Sequence, residues 1–163
     1  PPPPLFFFTP KRATELLSGL VGSEMCIRDR SNIMITKRGL GLIDSQDAVY
    51  GNIAYDLASL IDDVRLKTNI KIKDFIFHEF LKKNKNLDHK KFKNDFDILS
   101  VLRNFKIIGI FTRLSMRDNK NKYLKLIPYA WKLIELRTSK NPIFRDLNYL
   151  LVKNFDKKKR KLI

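Results

Sequence analysis

The stretch Gly41-Leu42-Ile43-Asp44-Ser45-Gln46-Asp47-Ala48, followed by Gly51 and Ala54-Tyr55-Asp56-Leu57-Ala58, decides how this chain is interpreted. The apolar residues before Asp44 are typical of a strand, and Gly51 permits a tight turn before a helix begins. A strand that ends on an aspartate can hold the carboxylate at the mouth of a cleft, facing a bound cation. The alternative is a turn-forming aspartate without a ligand, because Asp and Ser are common where strands end.

A second polar residue, Asn32, lies twelve residues before Asp44. The apolar segments Ile33 to Thr36 and Leu40 to Ile43, joined by a turn at Lys37 to Gly39, predict a β-hairpin. Since a hairpin brings its two flanks together, the Asn32 amide oxygen and the Asp44 carboxylate can share one metal-ion site. The alternative for Asn32 is a helix or turn cap.

Downstream of the hairpin, apolar residues recur every three to four positions, which predicts a bundle of helices. The predicted helices run from Asn52 to about Lys67, Lys71 to Lys83, Lys91 to about Arg117, Lys122 to Arg137, and Pro142 to about Phe155. We expect Asp62, Asp63 and Arg65 on the exposed side of the first helix. Asn119 is expected to end the long helix, and Pro128 to bend or restart the next one.

Length and composition limit the protein classes. The 163 residues suffice for one domain with a core, and 44% hydrophobic with 31% charged residues argues against disorder. No apolar run is long enough to cross a bilayer, and the first eight residues lack the charged region of a secretory signal, so we expect a cytoplasmic protein without a membrane partner. The single Cys26 cannot form an internal disulfide.

The formal charge of +16 raises nucleic acid as a partner. Much of the excess is lysine in the company of asparagine, isoleucine and phenylalanine, a usage that follows from an AT-rich coding sequence whatever the function. The charge therefore favours anionic small molecules, and nucleic acid is a weaker candidate.

Composition changes near residue 30. Five of the seven prolines lie in the first ten residues, and none of the twelve asparagines precedes Asn32. The contiguous stretch Gly19 to Asp29 resembles the translation of a DNA adapter used to prepare sequencing libraries. We expect residues 1–30 to be an artefactual or disordered segment.

Two separated motifs resemble a known family. Ile43 to Ala48, Gly51 and Ala54-Tyr55-Asp56-Leu57-Ala58-Ser59-Leu60 resemble the aminoglycoside phosphotransferase superfamily of small-molecule kinases. The segment Leu102 to Leu114, with Arg117-Asp118 beyond it, is similar to the branch of anomeric kinases for N-acetylmuramate and N-acetylglucosamine in cell-wall recycling.

The resemblance covers about residues 31–150 and implies an α/β, mostly α, fold. Residues 31–156 would form the C-terminal lobe of a protein-kinase-like fold, with a short β-hairpin followed by a helical bundle, and residues 157–163 a basic tail. The implied activity is transfer of a phosphoryl group from ATP to a small molecule, most simply a sugar, with magnesium.

The resemblance also implies roles for individual residues. Asp44 corresponds to the aspartate that binds the magnesium bridging the ATP phosphates, and Asn32 to the ligand of a second ion. Asp56 corresponds to a buried aspartate that fixes the catalytic loop, which is structural support. Gln46 and Asp47 are placed near the phosphates or the acceptor.

The sequence departs from the family before Asn32. The catalytic loop of kinase-like folds reads His-x-Asp-x-x-x-x-Asn, but Ile27 stands where the aspartate belongs and Met25 where the histidine belongs. We assign no catalytic base. The glycine-rich loop and strand lysine that position ATP are absent as well, so we expect this fragment to lack the N-terminal lobe and to be inactive alone.

A basic stripe follows the long helix at Arg103, Lys106, Arg113 and Arg117. Arg113 and Arg117 are candidates to contact phosphate or the carboxylate of an acidic sugar. The alternative, favoured by the lysine-rich background, is a solvated basic face. Two other functions stay open for the chain as a whole, a basic helical module that binds nucleic acid and a scaffold without activity.

Overall fold

The computed structural model describes residues 33–37, 39–42, 51–155 and 160, and this part of the chain is mostly helical, as the sequence predicts. The elements in chain order are β1 (Ile33–Thr36), β2 (Gly39–Leu42), α1 (Ala54–Ile61), α2 (Ile70–Lys83), α3 (His89–Asp118), a 3₁₀ segment (Asn121–Leu126), α4 (Ile127–Thr138), a second 3₁₀ segment (Pro142–Phe144) and α5 (Arg145–Asn154).

Strands β1 and β2 pair antiparallel, with Ile33 opposite Leu42 and Thr36 opposite Gly39. The segment that follows β2, residues 43–50, lies outside the described residues. Asn32 also lies outside them, so the convergence of Asn32 and Asp44 on one ion stays a prediction.

Helix α1 begins where the sequence predicts but ends earlier. The Asn52 side chain accepts a hydrogen bond from the backbone N–H of Ala54 at 2.9 Å, which satisfies one of the donors at the start of the helix. The helix ends at Ile61 rather than near Lys67. The reason is local, because the Asp63 carboxylate accepts the backbone N–H of Arg65 at 2.9 Å and so replaces a helical hydrogen bond.

Both ends of the 30-residue helix α3 are capped. The Asp88 side chain accepts the N–H groups of Lys90 and Lys91 at the start. At the end, Asn119 adopts a left-handed conformation with φ of 52°, which confirms the predicted break. Pro128 lies in the first turn of α4, directly after the 3₁₀ segment, so the predicted restart is also confirmed.

The helices bury two apolar clusters. The first lies between α1, α2 and the beginning of α3, where the Phe77 and Phe96 rings are 4.9 Å apart. The second lies between α3 and α4, around Val101 and Trp131. Phe92, Phe96 and Trp131 are buried, and Phe105, which shares their helical spacing, is half-buried against the second cluster.

The prediction that Asp62 and Asp63 face solvent is wrong. Their exposed fractions are 0% and 3%. Because α1 has ended at Ile61, these side chains no longer follow the helical periodicity. Both point into the bundle, where lysine and arginine side chains bind them.

None of the described helices is both long and apolar enough to span a bilayer.

Candidate functional site

The predicted site residues divide into two groups. Asn32, Asp44, Gln46 and Asp47 lie outside the described residues. Asp56, Arg113 and Arg117 are described. Asp56 is buried in α1, whereas Arg113 and Arg117 are exposed near the end of α3, so the structure does not bring the two arginines to Asp56. Within residues 51–155 no group of three His, Cys, Asp or Glu side chains could hold a metal ion.

Asp56 lies in the first turn of α1 and is 5% exposed. Its neighbours Ala54, Leu57 and Ala58 are fully buried in the first apolar cluster. A carboxylate in such surroundings is costly unless it accepts hydrogen bonds. Burial of this kind suits a residue that supports a loop from within, and that role stays a prediction.

Arg117 is exposed and binds the adjacent Asp118 through two hydrogen bonds, Nε to Oδ1 at 2.7 Å and NH2 to Oδ2 at 3.1 Å. This contact raises the pKa of Arg117 and lowers the pKa of Asp118. Arg113 and Lys106 are also exposed. All three side chains are exposed, and Arg117 is already paired with Asp118.

Arg103 departs from the predicted basic stripe, because its side chain is buried with an exposed fraction of 7%. Burial lowers the pKa of the guanidinium below its usual value, although the negative charge of Asp63 acts against this shift. The expectation of one continuous solvated face is therefore wrong for Arg103. Helical spacing placed it on the stripe, but helix α1 and its following turn cover the middle of α3, where Arg103 lies.

The centre of the bundle holds a buried ionic cluster around Asp62. Its Oδ1 accepts hydrogen bonds from Lys73 Nζ at 2.9 Å and Arg137 NH2 at 3.0 Å. Its Oδ2 accepts hydrogen bonds from Arg137 Nε at 2.8 Å and Ser100 Oγ at 2.6 Å. These contacts tie α2, α3 and α4 to the residue that follows α1.

The partners of Asp62 outweigh its burial. Burial is the largest single influence and raises the pKa of this carboxyl, but the Arg137 hydrogen bonds and charge, the Lys73 charge and the Ser100 hydrogen bond together bring the pKa below its usual value. Asp62 is therefore ionised at neutral pH. The Arg137 guanidinium also lies 4.8 Å from the centre of the Phe96 ring, so the cluster is continuous with the first apolar cluster.

Asp63 forms a second ionic contact beside the first. Arg65 donates to it from Nε to Oδ1 at 3.2 Å and from NH2 to Oδ2 at 3.3 Å. Arg65 has a half-exposed side chain, whereas Asp63 is buried. Arg103 is near enough to both groups to interact electrostatically with each of them.

Sequence reasoning missed this cluster of Asp62, Asp63, Arg65, Lys73, Arg103 and Arg137. One signal was present in the sequence, namely two consecutive aspartates at the C-terminal end of an amphipathic helix. The helix dipole favours cations at that end, so two carboxylates there are unfavourable without partners. Such a placement indicates that the carboxylates have strong partners elsewhere. Chemically, the cluster fixes the bundle behind α1 through contacts that connect α2, α3 and α4.

Comparison with known proteins gives a consistent result. No family model matches the chain. It is 32% identical over 97 residues to the N-acetylmuramate/N-acetylglucosamine kinase of Caulobacter vibrioides, a match that covers 60% of this chain and 27% of the relative. Against the kinase of the same name from Neisseria meningitidis serogroup B it is 34% identical over 103 residues, which covers 60% and 31%.

The kinase of the same name from Pseudomonas aeruginosa is 28% identical over 126 residues, which covers 74% of this chain and 37% of the relative. The chain thus spans about a third of the length of the curated relatives that it matches. These matches confirm the predicted resemblance: the chain is related to the N-acetylmuramate/N-acetylglucosamine kinases over a part of their length.

Proposed function

We propose that this chain is the C-terminal part of an ATP-dependent sugar phosphotransferase. In this reaction the oxygen of a sugar hydroxyl attacks the γ-phosphorus of ATP, the bond to ADP breaks, and the hydroxyl proton leaves to a base. The single observation that carries the proposal is the similarity to four relatives, all named as kinases of N-acetylmuramate and N-acetylglucosamine. The substrate class comes from those printed names.

The proposed metal ligands are Asp44 and Asn32. A carboxylate and an amide oxygen are donors that magnesium accepts, so this pair fits the ion in chemical type. When bound, magnesium neutralises charge on the ATP phosphates. The chain's own contribution is to hold these two oxygens at the flanks of the hairpin, and buried Asp56 would support the catalytic loop that precedes Asn32 in the intact gene product.

The remaining residues are assigned to the substrates. We place Gln46 and Asp47 near the phosphates or the acceptor because they follow Asp44 directly. Arg113 and Arg117 are exposed and charged, which suits contact with phosphate or with a sugar carboxylate. Residues 31–156 form the kinase-like lobe in this proposal, with residues 1–30 and the basic residues 157–163 outside it, in a protein located in the cytoplasm.

The test is phosphoryl transfer by two proteins. The first is the 163-residue chain, which we expect to be inactive because Ile27 and Met25 replace the catalytic-loop aspartate and histidine. The second is the product of the intact gene, carrying the sequence that naturally precedes Ser31. We expect it to phosphorylate N-acetylmuramate or N-acetylglucosamine with ATP and magnesium, and the Asp44→Ala variant to lose this activity.

Two controls make the result specific. Asp146→Asn changes an exposed carboxylate at the start of α5 and should leave the activity unchanged. Activity of the intact protein on neither sugar, or full activity after Asp44→Ala, would contradict the proposal.

A further inference from the structure

The Asn52 side chain links two helices at the point where the chain enters the bundle. Its Oδ1 accepts the backbone N–H of Ala54 at 2.9 Å, which caps α1. Its Nδ2 donates to Oδ2 of Asp95 on α3 at 2.8 Å. One amide therefore uses its oxygen for the first helix and its nitrogen for the other, and the two contacts together fix the orientation of the side chain.

Asp95 is available for this contact. It is half-buried and lines a groove that is open to solvent, with Lys91 one turn before it on the same helix. In the described part of the chain Asp95 forms no ion pair, whereas its neighbour Asp97 pairs with Lys93. The hydrogen bond from Asn52 is therefore the side-chain contact that the described residues give to Asp95.

Both partners lie on backbone that the first apolar cluster holds in place. Ala54 and Leu57, which follow Asn52, are fully buried in that cluster. Phe96, which follows Asp95, is fully buried in it as well. A hydrogen bond between two segments that are already fixed loses little conformational entropy when it forms. The contact therefore fixes Asn52 to α3 even though it lies at the surface.

Asn52 also closes the segment that carries the proposed metal ligand. Asp44 lies eight residues before it. At its other end the segment follows β2, whose last residue Leu42 pairs with Ile33. A ligand segment with both ends held has fewer conformations to lose when the ion binds, so each fixed end should strengthen metal binding.

We propose that Asp95, acting through the Asn52 amide, positions the segment of Asp44 for metal binding. This inference rests on the proposed function, which supplies the metal site. Asp95 touches neither the ion nor a substrate and is a positioning residue. Its contribution should therefore be smaller than that of Asp44, and it should depend on the hydrogen bond to Asn52 rather than on the charge of Asp95.

The test is the affinity of the 163-residue chain for Mn²⁺, which accepts the same oxygen ligands as magnesium. Electron paramagnetic resonance measures the unbound ion, and Asp44→Asn defines the part of the binding that belongs to Asp44. Asn52→Asp keeps the oxygen that caps α1 but replaces the donor by a second carboxylate facing Asp95. We expect this variant to bind Mn²⁺ at the Asp44 site about fivefold more weakly, the effect of one lost hydrogen bond.

A second variant separates the hydrogen bond from charge. Asp95→Ala removes the acceptor and should also weaken the site about fivefold. Asn52→Asp adds a negative charge and Asp95→Ala removes one, so a general attraction of the cation would shift the two affinities in opposite directions. Weaker binding in both variants would identify the hydrogen bond as the cause.

Two rescue variants and one control complete the series. Asp95→Asn keeps an acceptor for Asn52 and should stay within about twofold of the wild type. The double variant Asn52→Asp/Asp95→Asn reverses the direction of the hydrogen bond at unchanged net charge, and it should restore the affinity to the same range. Asn69→Asp makes the matched change at the cap of α2, where Asn69 accepts the N–H of Ile72 at 2.9 Å, and should leave the affinity unchanged.

Thermal melting of every variant distinguishes positioning from stability. Unchanged Mn²⁺ affinity in Asn52→Asp and Asp95→Ala would overturn the inference and leave the proposed function intact, whatever the melting temperatures. A weaker site in one of them and a stronger site in the other would assign the effect to charge and overturn it too. Lost binding in Asp95→Asn that the double variant does not restore would make Asp95 a metal ligand. No Asp44-dependent site in the wild type would overturn the proposed metal ligands together with this inference.

Discussion

Replacing Asp62 by asparagine should destabilise the protein severely. Asp62 is fully buried and accepts hydrogen bonds from Lys73, Arg137 and Ser100. An asparagine has nearly the same shape, so packing is kept while the negative charge is lost. Lys73 and Arg137, with exposed side-chain fractions of 3% and 8%, then stay buried and lose the carboxylate that binds both of them.

The expected loss follows from the cost of breaking a buried ion pair by removing one partner, about 3–5 kcal/mol. Domains of this kind have a free energy of unfolding of about 5–15 kcal/mol, so the change removes a large share of the total. Removing a cation instead should cost less, because Lys73→Met leaves one carboxylate opposite Arg137. We expect a loss of about 1–2 kcal/mol for that variant, set by the emptied hydrogen bonds.

Urea unfolding followed by Trp131 fluorescence and by circular dichroism measures these differences. Glu79→Gln is the matched control, because Glu79 pairs with Lys82 at 2.6 Å on the surface of α2 and such pairs contribute about 0–1 kcal/mol. The reasoning is refuted if Asp62→Asn loses no more than Glu79→Gln. It is also refuted if Lys73→Met loses as much as Asp62→Asn.

Three further predictions concern pH, backbone conformation and substrate contact. The pKa of Asp62 is lowered in the folded protein from its usual 3.8. Its contribution to stability is therefore present above that pH and is lost as the pH falls through the folded pKa. When urea unfolding is repeated at falling pH, the wild type should lose more free energy of unfolding than Asp62→Asn. Asn119 has φ of 52°, so Asn119→Gly should keep or raise stability while Asn119→Ala should lower it by about 1 kcal/mol, measured by thermal melting. In a full-length relative, glutamine at the positions equivalent to Arg113 and Arg117 should raise the KM for N-acetylmuramate and leave the KM for N-acetylglucosamine unchanged. An unchanged KM for both sugars would exclude these residues from the site.

Local signals in the sequence predicted the helices well. Asn119 ends α3 because it tolerates a left-handed conformation. Pro128 marks the start of α4 because proline is tolerated in the first turn of a helix and not in its interior. Both effects act within a few residues. Periodicity and capping therefore sufficed for α2 and α3, whereas α1 ends earlier than predicted and the predicted helices from Lys122 and Pro142 each begin as a 3₁₀ segment.

The ionic cluster could not be predicted in the same way. Asp62 meets Lys73 and Arg137 across separations of 11 and 75 residues, and no local pattern links these positions. Helical periodicity assigned Asp62 to solvent because it assumed that α1 continues, whereas the Asp63 side chain ends the helix. Tertiary contacts decided the outcome, as they did for buried Arg103.

For the metal site the sequence supplied chemistry and spacing. Asn32 and Asp44 are suitable ligands by type, and a hairpin between them brings them near each other. The paired strands β1 and β2 lie between the two residues. The two ligands themselves lie outside the described residues, so their convergence stays a prediction.

Manganese, which accepts the same oxygen ligands as magnesium and broadens nearby NMR signals, tests that convergence directly. The 163-residue chain is titrated with Mn²⁺ and its backbone amide signals are followed. We predict the strongest broadening at residues 32–33 and 43–45 together, its loss in Asp44→Asn, and its persistence in the exposed control Asp146→Asn. Broadening at only one end of the hairpin, or broadening that survives Asp44→Asn, would contradict a shared metal site.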